Sequence, residues 1–330
     1  MKILFPKQVL LLMAGSLLFL SSCRWNNDTK ENDNNKEQTE VDQLIIPVFN
    51  ETNAYQHIEK QVSFGPRIPN TKAQVECAEY LESTLKGFVD TVYRQETKIK
   101  IKDGSELKCI NLIGSINPSA AKRLLLLAHW DSRPWANMDD PSQPVLGAND
   151  GASGVGVLLE LANVLHQNKI KADFGIDILF TDVEDYGKSE WGEESYALGT
   201  QYWARNPHVP GYKAFGGILL DMVGGRNARF AMEGYSQQYA SGILQAVWKA
   251  AAQAGYSSYF VFENGATITD DHVFVNKLTK IPTIDIIDLP RNSTTGFVAE
   301  WHTTKDDMSN IDKATLKAVG QTLLQYIYSF

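Results

Sequence analysis

The sequence predicts an α/β fold: a mixed, mostly parallel central sheet with helices on both faces. Three observations predict it. Several short runs, above all Leu124-Leu125-Leu126-Leu127, are continuously apolar, as strands covered on both faces are. Other segments repeat apolar residues at helical spacing. The two kinds of segment alternate along the chain, which is the signature of strand–helix–strand units in a single sheet. The 330 residues are 43% hydrophobic and 21% charged. A domain of that size buries roughly 75% of its unfolded surface and needs no disulfide framework.

In order, residues 71–88 read as an amphipathic helix, and residues 88–101 and 107–116 alternate like strands. Residues 123–129 form the first buried strand and residues 152–166 a helix. Residues 174–181 form the second buried strand, followed by a helix over 196–205. Residues 215–222 are the third buried strand and 236–254 a long helix. Residues 281–287 are the fourth buried strand, and 313–329 the closing helix. Trp203 and Trp248 fall on apolar helix faces and are expected in the core.

The first 43 residues read differently. Lys2 and Lys7 flank the start of an apolar run, residues 9–20, too short to span a bilayer comfortably. It leads into Leu20-Ser21-Ser22-Cys23, which resembles a bacterial lipobox, so that residues 1–22 are a signal peptide and Cys23 the lipidated first residue. The alternative is a secretory peptide with an incidental cysteine. Residues 24–38 are rich in Asn, Asp, Lys and Glu and contain no aliphatic residue, a composition that cannot bury enough surface to fold. Residues 23–43 are therefore expected to be a disordered tether and residues 44–330 a single catalytic domain. This places the protein at the bacterial cell envelope, facing the periplasm or the exterior, in contact with membrane only through its lipid. The net charge of −8 argues against a nucleic-acid partner, which calls for a basic face, and slightly favours cationic peptides. Cys77 and Cys109 lie in helical and strand patterns: an oxidising compartment permits a disulfide between them, and both equally suit small buried, unpaired thiols.

Chemistry gathers where the buried strands end. The first ends in His129-Trp130-Asp131, the second in Asp182, Glu184 and Asp185, the third in Asp221; the fourth leads to Trp301-His302. Ligands of open α/β sheets bind outside the carboxyl ends of the strands. Between the first strand and the next helix lies Gly147-Ala148-Asn149-Asp150-Gly151. It lacks the lysine of a phosphate loop, and its carboxylate would repel phosphate. Asp150 reads better as a metal ligand set by a tight turn.

These segments, with Asp270-Asp271-His272 and Trp301-His302-Thr303, occur in the order found in the zinc aminopeptidase-like peptidase family M28, and Phe64-Gly65-Pro66-Arg67 resembles the opening of its domain. Over residues 50–330 the chain looks most like the animal-type glutaminyl-peptide cyclotransferases, on Trp301 before His302, Phe297 upstream and the Asp270-Asp271-His272 run. The resemblance implies one zinc held by Asp150, Asp185 and His302. It makes Glu184 the proton-transfer group, supported by Asp221 and Asp270, with Trp191, Phe297 and Trp301 lining the substrate pocket. Asp185 stands where the animal enzymes have glutamate, Thr269 where they have glutamine, and Asp285 near their histidine.

Three protein ligands leave an open position, the layout of catalytic zinc. The implied reaction converts an N-terminal glutamine of a peptide or protein to pyroglutamate and releases ammonia. The rival is an aminopeptidase with two zincs, His129 binding the second and Asp131 orienting it; on the cyclase reading His129 and Asp131 are a structural pair. A peptide- or glycan-binding lipoprotein with a decayed site has no support, since every ligand is present. If Cys23 is the acylated residue, Cys23→Ala should move the protein from the detergent phase to the aqueous phase on phase partitioning; unchanged partitioning would contradict the anchor.

Overall fold

The apolar runs lie side by side in one sheet. The structure, a computed structural model, describes residues 45–168, 170 and 173–330; the signal peptide, Cys23 anchor and tether expected over residues 1–43 lie outside the described residues. In chain order the elements are α1 (Glu51–Val62), α2 (Lys72–Phe88), β1 (Thr91–Lys100), β2 (Glu106–Ile116), β3 (Lys122–His129), α3 (Ala152–Gln167), β4 (Phe174–Thr181) and α4 (Leu198–Arg205). They continue with β5 (Gly216–Asp221), β6 (Phe230–Met232), α5 (Gly234–Gln253), β7 (Phe260–Asn264), α6 (Asp271–Thr279), β8 (Thr283–Ile287) and α7 (Lys313–Ile327).

The main sheet runs β1-β2-β4-β3-β5-β8. β3, β4, β5 and β8 are parallel, so their carboxyl ends share one edge. β1 and β2 extend the sheet antiparallel. The leucine run of β3 serves both faces, because successive strand residues point to opposite sides. Leu124 and Leu126 pack with residues of α1, α2, α3, α5 and α7. Leu125 and Leu127 pack with Trp203 of α4 and Val275 of α6. This is the mixed, mostly parallel sheet with helices on both faces that the sequence predicts. Trp203 and Trp248 are fully buried, and Cys77 and Cys109 are buried and unpaired.

Four elements are absent from the sequence reading. α1 is capped by Asn50, whose side chain accepts from the backbone N–H of Thr52 and Asn53, a common way of satisfying a helix start. Its buried face is only Ala54, Ile58 and Gln61, too small and polar to register as an apolar stripe. α6 buries Asp271, His272 and Asn276 beside Val273, Phe274 and Val275, and polar residues interrupt its periodicity. β6 and β7 are short and pair as a separate parallel ribbon, joined to the chain after β8 by a single bridge between Phe230 and Asp288.

His57 of α1 is half-buried, with Nδ1 2.7 Å from the Tyr80 hydroxyl. Burial pushes its pKa down to about 4, against about 6.5 in an unfolded chain. The folded state therefore holds fewer protons between those values, and stability is lost as pH falls from about 6.5 toward 4. The loss is at most on the order of 3 kcal/mol. In His57→Gln this component disappears. The urea midpoint of the native protein should therefore drop more than the variant's between about pH 7 and about pH 5; equal drops would contradict the assignment.

Candidate active site

The four parallel strand ends supply the site, and the local backbone is bent to do it. β4 ends at Thr181, and the chain then passes through Val183 at φ +56°, a strained conformation for a β-branched residue. That bend breaks the strand alternation, so adjacent Glu184 and Asp185 both line one cavity. Met222, directly after Asp221, has φ +47°, and His302 itself has φ +56°. Asp150 comes from the turn before α3. Its neighbour Gly151 sits at φ +103°, and a Cβ there would lie 2.4 Å from the Asp131 carbonyl oxygen, so the turn requires glycine.

Two buried carboxylates fix the loops that carry these side chains. Asp131 accepts the backbone N–H of Glu184 at 3.0 Å and of Asp185 at 3.1 Å, one on each oxygen. Asp306 accepts those of Asn149 at 2.8 Å and Asp150 at 3.0 Å in the same way. Arg67, fully buried, donates to the carbonyls of Trp130, Leu146 and Gly147. Arg133 Nη1 donates to Asp185 through both its carbonyl, at 3.0 Å, and Oδ1, at 2.8 Å.

Asp150, Asp185 and His302 come together as expected. Their candidate ligand atoms lie within 4.8 Å of one another, and all three residues are buried. His302 Nε2 is 3.2 Å from Asp185 Oδ1 and 3.8 Å from Asp150 Oδ2. Ligand bonds of about 2.0–2.2 Å put neighbouring atoms of a tetrahedral zinc about 3.3 Å apart, so one nitrogen and two carboxylate oxygens at these separations fit zinc. A second group shares Asp150: His129 Nε2 lies 3.0 Å from Asp150 Oδ1 and 3.3 Å from Asp221 Oδ1. His129 Nδ1 is 3.4 Å from Asp131 Oδ1, while the Asp131 oxygens accept hydrogen bonds from the 184–185 backbone. His129 thus meets both expectations halfway: it faces Asp131 with one nitrogen and a metal-type pair of carboxylates with the other.

Electrostatics separate the acids. Burial would raise the Asp185 carboxyl, but His302 and Arg133 outweigh it and hold the pKa at about 2. Burial raises Asp221 to about 6. Burial, with Asp185, Asp270 and Asp271 nearby, holds Glu184 well above the usual carboxylate range against the pull of His129. Among the described residues no hydrogen bond or ion pair occupies the Glu184 carboxylate. Asp270 is held up by burial and then by Asp221 and Asp271. Behind it, Asp285 and His272 are fully buried; His272 Nδ1 lies 3.7 Å from Asp285 and Nε2 3.1 Å from Glu233.

The cavity has a volume of about 230 Å3 and includes Glu184, Asp221, Asp270, Phe297 and Trp301 in its wall. Phe297 stacks on Trp301 at 4.3 Å between ring centroids, and Trp301 on His302 at 3.6 Å. Trp191 is not in this wall. It packs by Ile101, Leu107 and Val183, with the Lys188 ammonium 4.8 Å from its ring. Glu193 and Tyr196, from the same loop, line the cavity instead. The sequence reading singled out neither of these, nor Arg133 and Asp306. Asp306 acts on backbone amides, and such a role leaves no spacing signal.

The model of peptidase family M28 matches residues 111–327, which take in every ligand candidate. The chain belongs to peptidase family M28. Among similar solved structures, a Bacteroides thetaiotaomicron glutaminyl cyclase bound to N-acetylhistamine is 51% identical. The match covers 87% of this chain and 100% of that one, with a TM-score of 0.84. A Zn-dependent exopeptidase from Parabacteroides distasonis is 50% identical over 87% and 100% of the two chains, also at TM-score 0.84. The bovine glutaminyl-peptide cyclotransferase is 25% identical over 248 residues, a match spanning 67% of this chain and 66% of that protein's own length. Names of both chemistries thus occur among the similar proteins.

An amide at position 131 or 306 cannot accept on both sides, so Asp131→Asn and Asp306→Asn each leave a buried N–H facing a donor. Loss of such support weakens metal sites roughly 10–100-fold. Competition against a chelator should show zinc affinity reduced in that range in each variant; native affinity in both would contradict the clamp.

Proposed function

We propose that this chain is a zinc-dependent glutaminyl-peptide cyclotransferase that converts an N-terminal glutamine of peptides or proteins to pyroglutamate and ammonia. The observation that carries the proposal is the free Glu184 carboxylate beside the Asp150–Asp185–His302 group, in a small cavity walled by Phe297 and Trp301. The similar glutaminyl cyclases support it.

The substrate glutamine folds back so that its α-amine attacks its own side-chain carbonyl carbon. Zinc bound by Asp150, Asp185 and His302 would polarise that carbonyl and stabilise the negative charge developing on its oxygen. Glu184 accepts a proton from the amine and delivers it to the side-chain nitrogen, which leaves as ammonia while the new ring C–N bond remains. A carboxyl group with a raised pKa suits both halves of that transfer near neutral pH. Asp270 and Asp221 stand beside Glu184 in the wall, and Phe297 and Trp301 hold the side chain in the folded-back form that brings amine and carbonyl together. Within the same proposal the site holds one zinc, Cys23 carries a lipid, and residues 23–43 tether the domain at the bacterial cell envelope.

One observation favours a second reading. His129, Asp150 and Asp221 form another metal-type group sharing Asp150, as an aminopeptidase with two zincs would need. Metal analysis of dialysed protein separates the readings: one zinc per chain fits the cyclase, and two tightly held zincs fit the peptidase.

Glu184→Gln keeps the shape of the side chain but cannot accept the proton. It should fold normally, retain its zinc and lose roughly 10²–10⁴-fold in turnover of a glutamine-initiated peptide. Undiminished turnover would refute the proton-transfer role.

A further inference from the structure

Among the carboxylates lining the cavity, Asp150, Asp185, Asp221 and Asp270 are buried and Glu184 is half-buried, whereas Glu193 is exposed. Glu193 therefore stands at the opening. No hydrogen bond or ion pair engages its side chain among the described residues, and no lysine or arginine lines the cavity. The nearest cation of the same loop, Lys188, is held elsewhere: its ammonium lies 4.5 Å from the Trp135 ring and 4.8 Å from the Trp191 ring. That arrangement stabilises the lysine by cation–π attraction, and Lys102, the other ammonium at this loop, donates to the Trp191 carbonyl at 3.0 Å, so neither forms an ion pair with Glu193. A substrate whose first residue fills the cavity must leave through the opening, which brings its second residue past Glu193.

We propose that Glu193 selects substrates by their second residue, favouring lysine or arginine there over aspartate or glutamate. The inference rests on the cyclotransferase reading and narrows its substrate class to N-terminal glutamine followed by a cationic residue. At an exposed rim the interaction is that of two unit charges a few ångströms apart in water, enough for a preference of about fivefold. It should weaken with salt, because exposed charges are screened.

The test measures kcat/KM for matched peptides beginning Gln-Lys, Gln-Ala and Gln-Glu, by ammonia release, at low and high ionic strength. The native protein should favour Gln-Lys over Gln-Glu by about fivefold at low salt, and less at high salt. Glu193→Gln should bring the ratio close to one, and Glu193→Lys should reverse it. A native ratio near one, or a ratio unchanged in both variants, overturns the role of Glu193. No ammonia from Gln-Ala with the native protein would instead overturn the cyclotransferase reading, and this inference with it.

Discussion

The site depends on one repeated interaction: a buried carboxylate that accepts two consecutive backbone N–H groups. Asp131 does this for Glu184 and Asp185, and Asp306 for Asn149 and Asp150. Each pair contains a metal-ligand candidate. Loops are ordinarily the mobile part of an α/β fold, and a ligand set tolerates only small displacements. A carboxylate with both oxygens engaged fixes the orientation of the peptide planes, and with it the direction of the side chains they carry. Buried charged hydrogen bonds of this kind are strong, and leaving one partner unmet is costly.

The same clamps permit the strain beside them. Val183, Met222 and His302 all adopt positive φ next to or within the ligand set, a conformation that persists only where surroundings impose it. The clamps also concentrate negative charge. Asp150, Asp185, Asp221, Asp270 and Glu184 crowd one cavity, with His129, His302 and Arg133 as the nearby counter-groups. A divalent cation bound there would relieve the remaining repulsion, while the raised pKa of Glu184 and Asp270 shows how burial and mutual repulsion favour their protonated forms.

Much of this was legible in the sequence, for a physical reason. Strands buried on both faces are nearly continuous in apolar residues, so β3, β4, β5 and β8 announced themselves despite Asp177 within β4 and Asp285 within β8, and the acids at their ends followed from where ligands bind in such sheets. What stayed hidden works through the backbone or through mixed surfaces. α1 and α6 bury polar and small residues, so their periodicity is faint. Asp306 and Arg133 hold other groups in place, a role without a motif. Trp191 shows the opposite case. The loop after Glu184-Asp185 does reach the cavity, but it offers Glu193 and Tyr196, while the tryptophan turns to Val183 and Lys188. Residue type marked the loop, while the two residues of it that line the cavity left no signal of their own.

The central claim is that the free carboxylate and the metal group act on an amide within the substrate's own first residue, rather than on the peptide bond after it. The product decides this. The protein, loaded with zinc, is incubated with a glutamine-initiated peptide and, separately, with the same peptide initiated by alanine. The account predicts ammonia and a peptide of unchanged residue count from the first, and no reaction with the second. Release of free glutamine or alanine from the two peptides would contradict it and establish hydrolysis of the N-terminal bond.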